Sequence, residues 1–132
     1  MSVTQVKKVV PGAVAFIPTD GKTLGDGAVP LLQLNNYEIK GIKFDALFFF
    51  KDSKLIQVTL TPIDSENQGA AYTIIVETLR SKYGKEVNTR NMSIGQEKSW
   101  LTKDKTEITA TFYLNKMSLI YSSREKDEMD KI

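Results

Sequence analysis

The stretch Ile42-Lys-Phe-Asp-Ala-Leu-Phe-Phe-Phe-Lys51-Asp-Ser-Lys54-Leu-Ile-Gln-Val-Thr-Leu60 decides how this chain folds. Phe44, Ala46, Phe48 and Phe50 alternate with Lys43, Asp45, Leu47 and Phe49, and after Lys51-Asp52-Ser53-Lys54 the alternation resumes at Ile56, Val58 and Leu60. A period of two marks a strand, because successive side chains leave opposite sides of the pleat. A short polar break between two such runs is a hairpin connection. Tyr37 and Ile39 repeat the pattern ahead of Gly41, so residues 36–61 read as an antiparallel meander of about three strands.

The period changes beyond Pro62, which cannot sit in a central strand. Ser65-Glu66-Asn67-Gln68 has the spacing of a capping box and predicts a helix start. Tyr72, Ile75, Val76, Leu79 and Tyr83 then recur at steps of three and four on one stripe, and Gly84 supplies a left-handed cap at its end. Lys85 to Gln96 is polar and reads as a mobile connection. Strand periodicity returns with Trp100, with Ile108, Ala110, Phe112 and Leu114, and with Met117, Leu119 and Tyr121, a second three-strand meander.

The first 34 residues hold most of the Pro and Gly, including Pro11, Gly12, Pro18, Gly21, Gly25, Gly27 and Pro30, and read as an extended arm with one short strand near Ala13–Ile17. Asp20-Gly21 and Asp26-Gly27 are turn dipeptides. The expectation is an α+β fold, an antiparallel sheet of about six strands in two three-strand meanders with one main helix packed on one face. Its parts are an arm over 1–34, a β-β-β-α-β-β-β domain over 35–122 and a charged tail over 123–132.

The chain has 132 residues, 18 Lys and Arg against 16 Asp and Glu, no Cys and no His. The missing types exclude disulfides, thiol nucleophiles, zinc fingers, imidazole bases and His-ligated metals. Charge divides evenly: residues 1–65 hold seven basic and six acidic side chains, and residues 66–132 eleven and ten. Neither half is a footprint for nucleic acid. No apolar run reaches the eighteen or so residues of a membrane span. Lys7-Lys8 followed by Val9 to Ala15 imitates a signal peptide, but Pro11 interrupts its short apolar core, so it reads as mature protein. No P-loop, dinucleotide fingerprint or nucleophile elbow is present, and no cofactor, metal or catalytic residue is assigned. Glu38 facing Asp45, or Glu77 with Arg80 at helical neighbour spacing, are the acids an enzyme would have to recruit, and they read instead as solvated charges.

One helix covers one side of a sheet. Opposite the Phe44 stripe the pattern shows Leu47 and Phe49, with Leu55 close across the turn, so this end is apolar on both sides. Leu47, Phe49 and Leu55 are therefore the candidate partner-binding residues, since contiguous apolar area on a domain surface marks an interaction site. The competing reading is that Val9, Val10, Val14, Phe16, Leu31 and Leu32 of the arm fold over this end and complete the core.

The run Leu79-Arg-Ser-Lys-Tyr83-Gly84, followed by Trp100, Ile108-Thr-Ala-Thr-Phe112 and Leu119-Ile-Tyr121, resembles small exported bacterial domains with an L-x-x-K-Y-G helix end and a Trp-bearing strand. Phe48-Phe-Phe-Lys-Asp-Ser-Lys-Leu55-Ile-Gln-Val58 is similar to their hairpin, and the resemblance covers roughly residues 40–122. Those domains are related in general shape to β-lactamase-inhibitor-like and outer-membrane-assembly lipoprotein folds. The chain lacks the lipid-bearing Cys of the lipoprotein members, and its arm stands where they have a short N-terminal helix. The resemblance implies a non-enzymatic protein-binding module, an inhibitor, immunity or assembly factor in a periplasmic or secreted setting. Its partner would be another protein or a second copy of the chain. The alternative is a carrier of a small apolar ligand between helix and sheet, near Tyr72 and Tyr83.

Overall fold

The computed structural model describes residues 1–16 and 27–123. Asp20-Gly21, Asp26, Ile17 at the end of the short strand expected near Ala13–Ile17, and the charged tail beyond Ser123 lie outside the described residues.

All described strands join one antiparallel sheet. In chain order the elements are α1 (Val3–Val9), β1 (Val14–Ala15), β2 (Val29–Ile39), β3 (Ile42–Lys51), β4 (Lys54–Pro62), α2 (Gln68–Tyr83), β5 (Asn88–Met92), β6 (Gly95–Leu101), β7 (Thr106–Tyr113) and β8 (Lys116–Ser123). The sheet runs β1-β2-β3-β4-β8-β7-β6-β5. Two meanders thus meet at their last strands, β4 against β8, and each meander is preceded by a helix. Each half is thus a four-strand unit with its own helix, in place of the three-strand meanders expected from the sequence.

The α+β class stands, with eight strands in place of about six and two helices in place of one among the described residues. The strand missing from the second meander is β5, Asn-Thr-Arg-Asn-Met, which has no apolar alternation. It forms because its backbone pairs with β6 from Asn88↔Ser99 to Met92↔Gly95. The expected mobile connection over 85–96 is therefore largely ordered. Likewise β2 starts at Val29 and runs through the boundary set at residue 34. The arm opens on a helix: Ser2 accepts from the Gln5 N–H and the Gln5 side chain accepts from the Ser2 N–H, a complete capping box. The arm is therefore not extended throughout, contrary to what its Pro and Gly content suggested.

Tight turns set the hairpin registers. Lys40-Gly41, Asp52-Ser53 and Leu114-Asn115 all have positive φ at both central positions, the twist that matches right-handed strands. Across the sheet, Phe48, Val58, Tyr121, Ile108 and Trp100 lie in one row, and Ala46, Leu60, Leu119 and Ala110 in the next. Ile75, Val76 and Leu79 of α2 and Val6 of α1 join these residues in a single buried cluster, so both helices cover the same face. Val3 and Val10 pack against it too, whereas Val9 and Val14 are exposed.

The helix begins two residues later than the Ser65 box implied. Asn67, left-handed at φ 58, is the cap residue and makes no side-chain cap bond. Gln68 does not reach back to Ser65. Its amide nitrogen donates to the Asp64 carbonyl, and its oxygen accepts the Met117 N–H at 2.8 Å, which ties the helix start to β8.

Candidate functional site

The sheet face away from the helices follows from the same register. One row crosses it as Gln33, Leu47, Thr59, Ile120, Thr109 and Ser99, and another as Pro30, Phe49, Gln57, Ser122, Glu107 and Leu101. Asp45, Thr61 and Thr111 flank them. This surface is a lawn of short hydroxyl and amide side chains with Leu47 and Ile120 half-buried among them. Among the described residues no helix packs on it.

The three expected partner-binding residues are separated. Leu47 stands on the open face. Phe49 also points to that side, yet it is only 5% exposed, beside the buried Pro30 with which it pairs. Leu55 packs against the core under the helices. The cause is a bulge: Phe49 pairs with Gln57 and Phe50 with Leu55, so Ile56 is an extra residue and the alternation of β4 shifts by one before Leu55. The sequence alternation through Ile56, Val58 and Leu60 carries no trace of it. Of the three, Leu47 remains at the surface, and Ile120 is its apolar neighbour across β4.

The pairing of the Leu79–Gly84 helix end with Trp100 has a mechanical origin. Trp100, 1% exposed, donates its indole N–H to the Gly84 carbonyl at 2.9 Å, while the Gly84 N–H returns to the Arg80 carbonyl at 2.8 Å. One bond thus takes up a carbonyl at the helix end and the only polar atom of the largest core side chain. Gly84 has φ 88, which a side chain would resist.

Beside this lock lies a charged cluster that sequence reading passed over. Glu86 accepts from Arg80 Nε and Nη2, both at 2.8 Å, and from Lys98 Nζ at 3.0 Å, with its side chain 4% exposed. The Arg80 fork holds the Glu86 carboxyl well below the usual carboxylate range, and Lys98 adds to the effect. Arg80 therefore gives its hydrogen bonds to Glu86, six residues on, and Glu77 acts on it only through charge. No local spacing signals the arrangement, because Lys98 arrives from a different strand. Nearby, Tyr72 stacks on Phe112 at 5.6 Å between centroids and donates to Gln96, whose amide donates to Asn91. Burial, with Glu86 adding, pushes the Tyr72 phenol up to about 12.

These groups are fully engaged in joining α2 to β5 and β6, so the arrangement reads as a clamp. The other acids are dispersed: Glu38 stands opposite Lys43, Asp45 opposite Thr61, and Glu77 is exposed on α2. Among the described residues no group of three or more acids forms a metal-holding cluster, and no helix is long and apolar enough to cross a membrane. Comparison with family models, with curated proteins and with solved structures finds no match to this chain.

Proposed function

We propose that the chain is a non-enzymatic protein-binding module, an inhibitor, immunity or assembly factor of a bacterial envelope or secretion-associated system, working in the periplasm or outside the cell. The observation that carries this reading is the open sheet face centred on Leu47, Thr59, Ile120 and Thr109. Both helices are spent on the other face. What remains is a broad, ordered surface of hydroxyls and amides around two aliphatic side chains, held by backbone hydrogen bonds on every interior strand. A non-obligate interface need be no more apolar than the rest of a protein surface, so two aliphatic side chains among neutral polar ones suffice for one. The resemblance through Leu79–Gly84 and Trp100 supports the envelope setting, since those residues build the scaffold that presents the face.

The partner is another protein or a second copy. Affinity capture from the source organism with the intact chain and with Leu47→Asp and Thr109→Arg tests the reading, alongside solution mass of the purified chain. A partner, or a dimer, that is lost in both variants while their thermal transitions stay cooperative supports it. A partner retained by both variants removes this face from the account.

The carrier reading places an apolar ligand between α2 and the sheet. That space is filled by Tyr72, Ile75, Val76 and Leu79 packed with Ile108, Leu119 and Trp100, so the geometry favours the binding module.

A further inference from the structure

We propose that the cleft at the C-terminal end of α2 binds a small planar aromatic carboxylate, a function separate from the open sheet face. The cleft is a shallow groove, open to solvent, of about 840 Å³ lined by the last turn of α2, the β6–β7 turn and β8, large enough for a small molecule laid against its floor. Its apolar walls are Tyr83, 38% exposed, and Leu101, 51% exposed, with Tyr121 between the helix end and Ile108. Two phenol rings and a leucine in one concave site suit a flat ring system, which stacks on aromatic faces at little entropic cost.

Charge selects the anion. The lining holds two ammonium groups, Lys82 and Lys103, and one carboxylate, Asp104. Lys82 Nζ lies over the Tyr83 ring, 5.3 Å from its centroid. Asp104 is turned into its own loop, where it accepts from the Thr102 hydroxyl and from Thr106. Its charge is thus tied to its own turn, and the lining keeps two ammonium groups against this one carboxylate. Burial pushes the Tyr121 phenol up to about 12, with Tyr83 and Tyr37 adding, so its O–H stays a donor across the physiological range. The helix terminus, whose free carbonyls would repel an anion, is partly quenched, because Gly84 O is taken by Trp100 and Arg80 O by the Gly84 N–H.

The test is a titration of the full chain with 1-naphthoate, read by backbone amide shifts. The uncharged 1-naphthamide and the cationic 1-naphthylmethylamine are run beside it. Saturable shifts confined to residues 82–84, 101–106 and 121 are expected, with the amide weaker by about three- to fivefold and the amine weaker still. Lys82→Ala/Lys103→Ala should abolish the preference for the acid over the amide, and Tyr83→Ala should weaken all three ligands, each variant keeping its native amide dispersion. Absence of saturation at millimolar ligand, shifts centred elsewhere, or equal binding of acid and amine overturns the proposal.

Discussion

Trp100 fills the middle of the core and at the same time holds the end of α2 through its single polar atom. Trp100→Phe keeps most of the apolar contact and deletes the bond to Gly84, leaving a carbonyl at the helix end unpaired. The expected cost is about 1–2 kcal/mol, measurable as a lower denaturant midpoint with an unchanged slope. Glu86 makes a prediction of a different kind, because its carboxyl is held below the ordinary value of 4.5. A depressed carboxyl stabilises the fold fully above its unfolded value and loses that contribution as pH falls toward the folded value. Glu86→Gln should therefore cost about 1–2 kcal/mol at neutral pH and progressively less as the acid limb is entered below about pH 4. Chemical denaturation of both proteins at several pH values checks it, and a constant difference across that range contradicts the clamp.

Turns and ladders carry the argument at the next scale. Leu114 has φ 52 in the β7–β8 turn and is 58% exposed, so a β-region residue with nothing to bury occupies a left-handed position. Leu114→Gly relieves that strain and is expected to raise stability by about 1 kcal/mol, seen as a higher melting temperature. Gly95 is the opposite case. A Cβ there would lie 2.1 Å from the Phe112 carbonyl oxygen, on the ladder between β6 and β7. Gly95→Ala must push the two strands apart, at a cost of about 1–3 kcal/mol in thermal or denaturant unfolding.

The elements that were legible in the sequence are those whose burial writes a period. β3, β7, β8 and the stripe of α2 alternate or repeat because each shows one side to a core. Three features left no such mark. β5 is an outer strand of polar residues, held by backbone pairing that any side chain permits. α1 buries little beyond Val6, and its capping pair, Ser2 and Gln5, precedes no long apolar run. The bulge at Phe49 and Phe50 moves Leu55 inward without altering the composition of β4. For the same reason only Leu47 of the candidate site stays at the surface on the side away from the helices, where Ile120 joins it across β4 through a pairing that no sequence period records.

Two helix-led meanders, joined along Gln57–Leu60 and Leu119–Ser122, share one cluster of buried side chains that runs from Val6 to Trp100. A core continuous across the seam couples the halves, so calorimetric and van't Hoff enthalpies should agree in a single unfolding transition. Two separable transitions would show that the seam is merely a docking contact. The central claim is that the sheet face away from the helices is open in the free protein and closed by a partner. The chain has no cysteine, so Thr109→Cys on that face and Thr73→Cys on the outer side of α2 can each be labelled without background. The account predicts rapid maleimide labelling at both positions in the purified monomer and protection of position 109 alone once the captured partner is bound. Slow labelling at 109 in the free monomer, or unchanged labelling there in the complex, would contradict it.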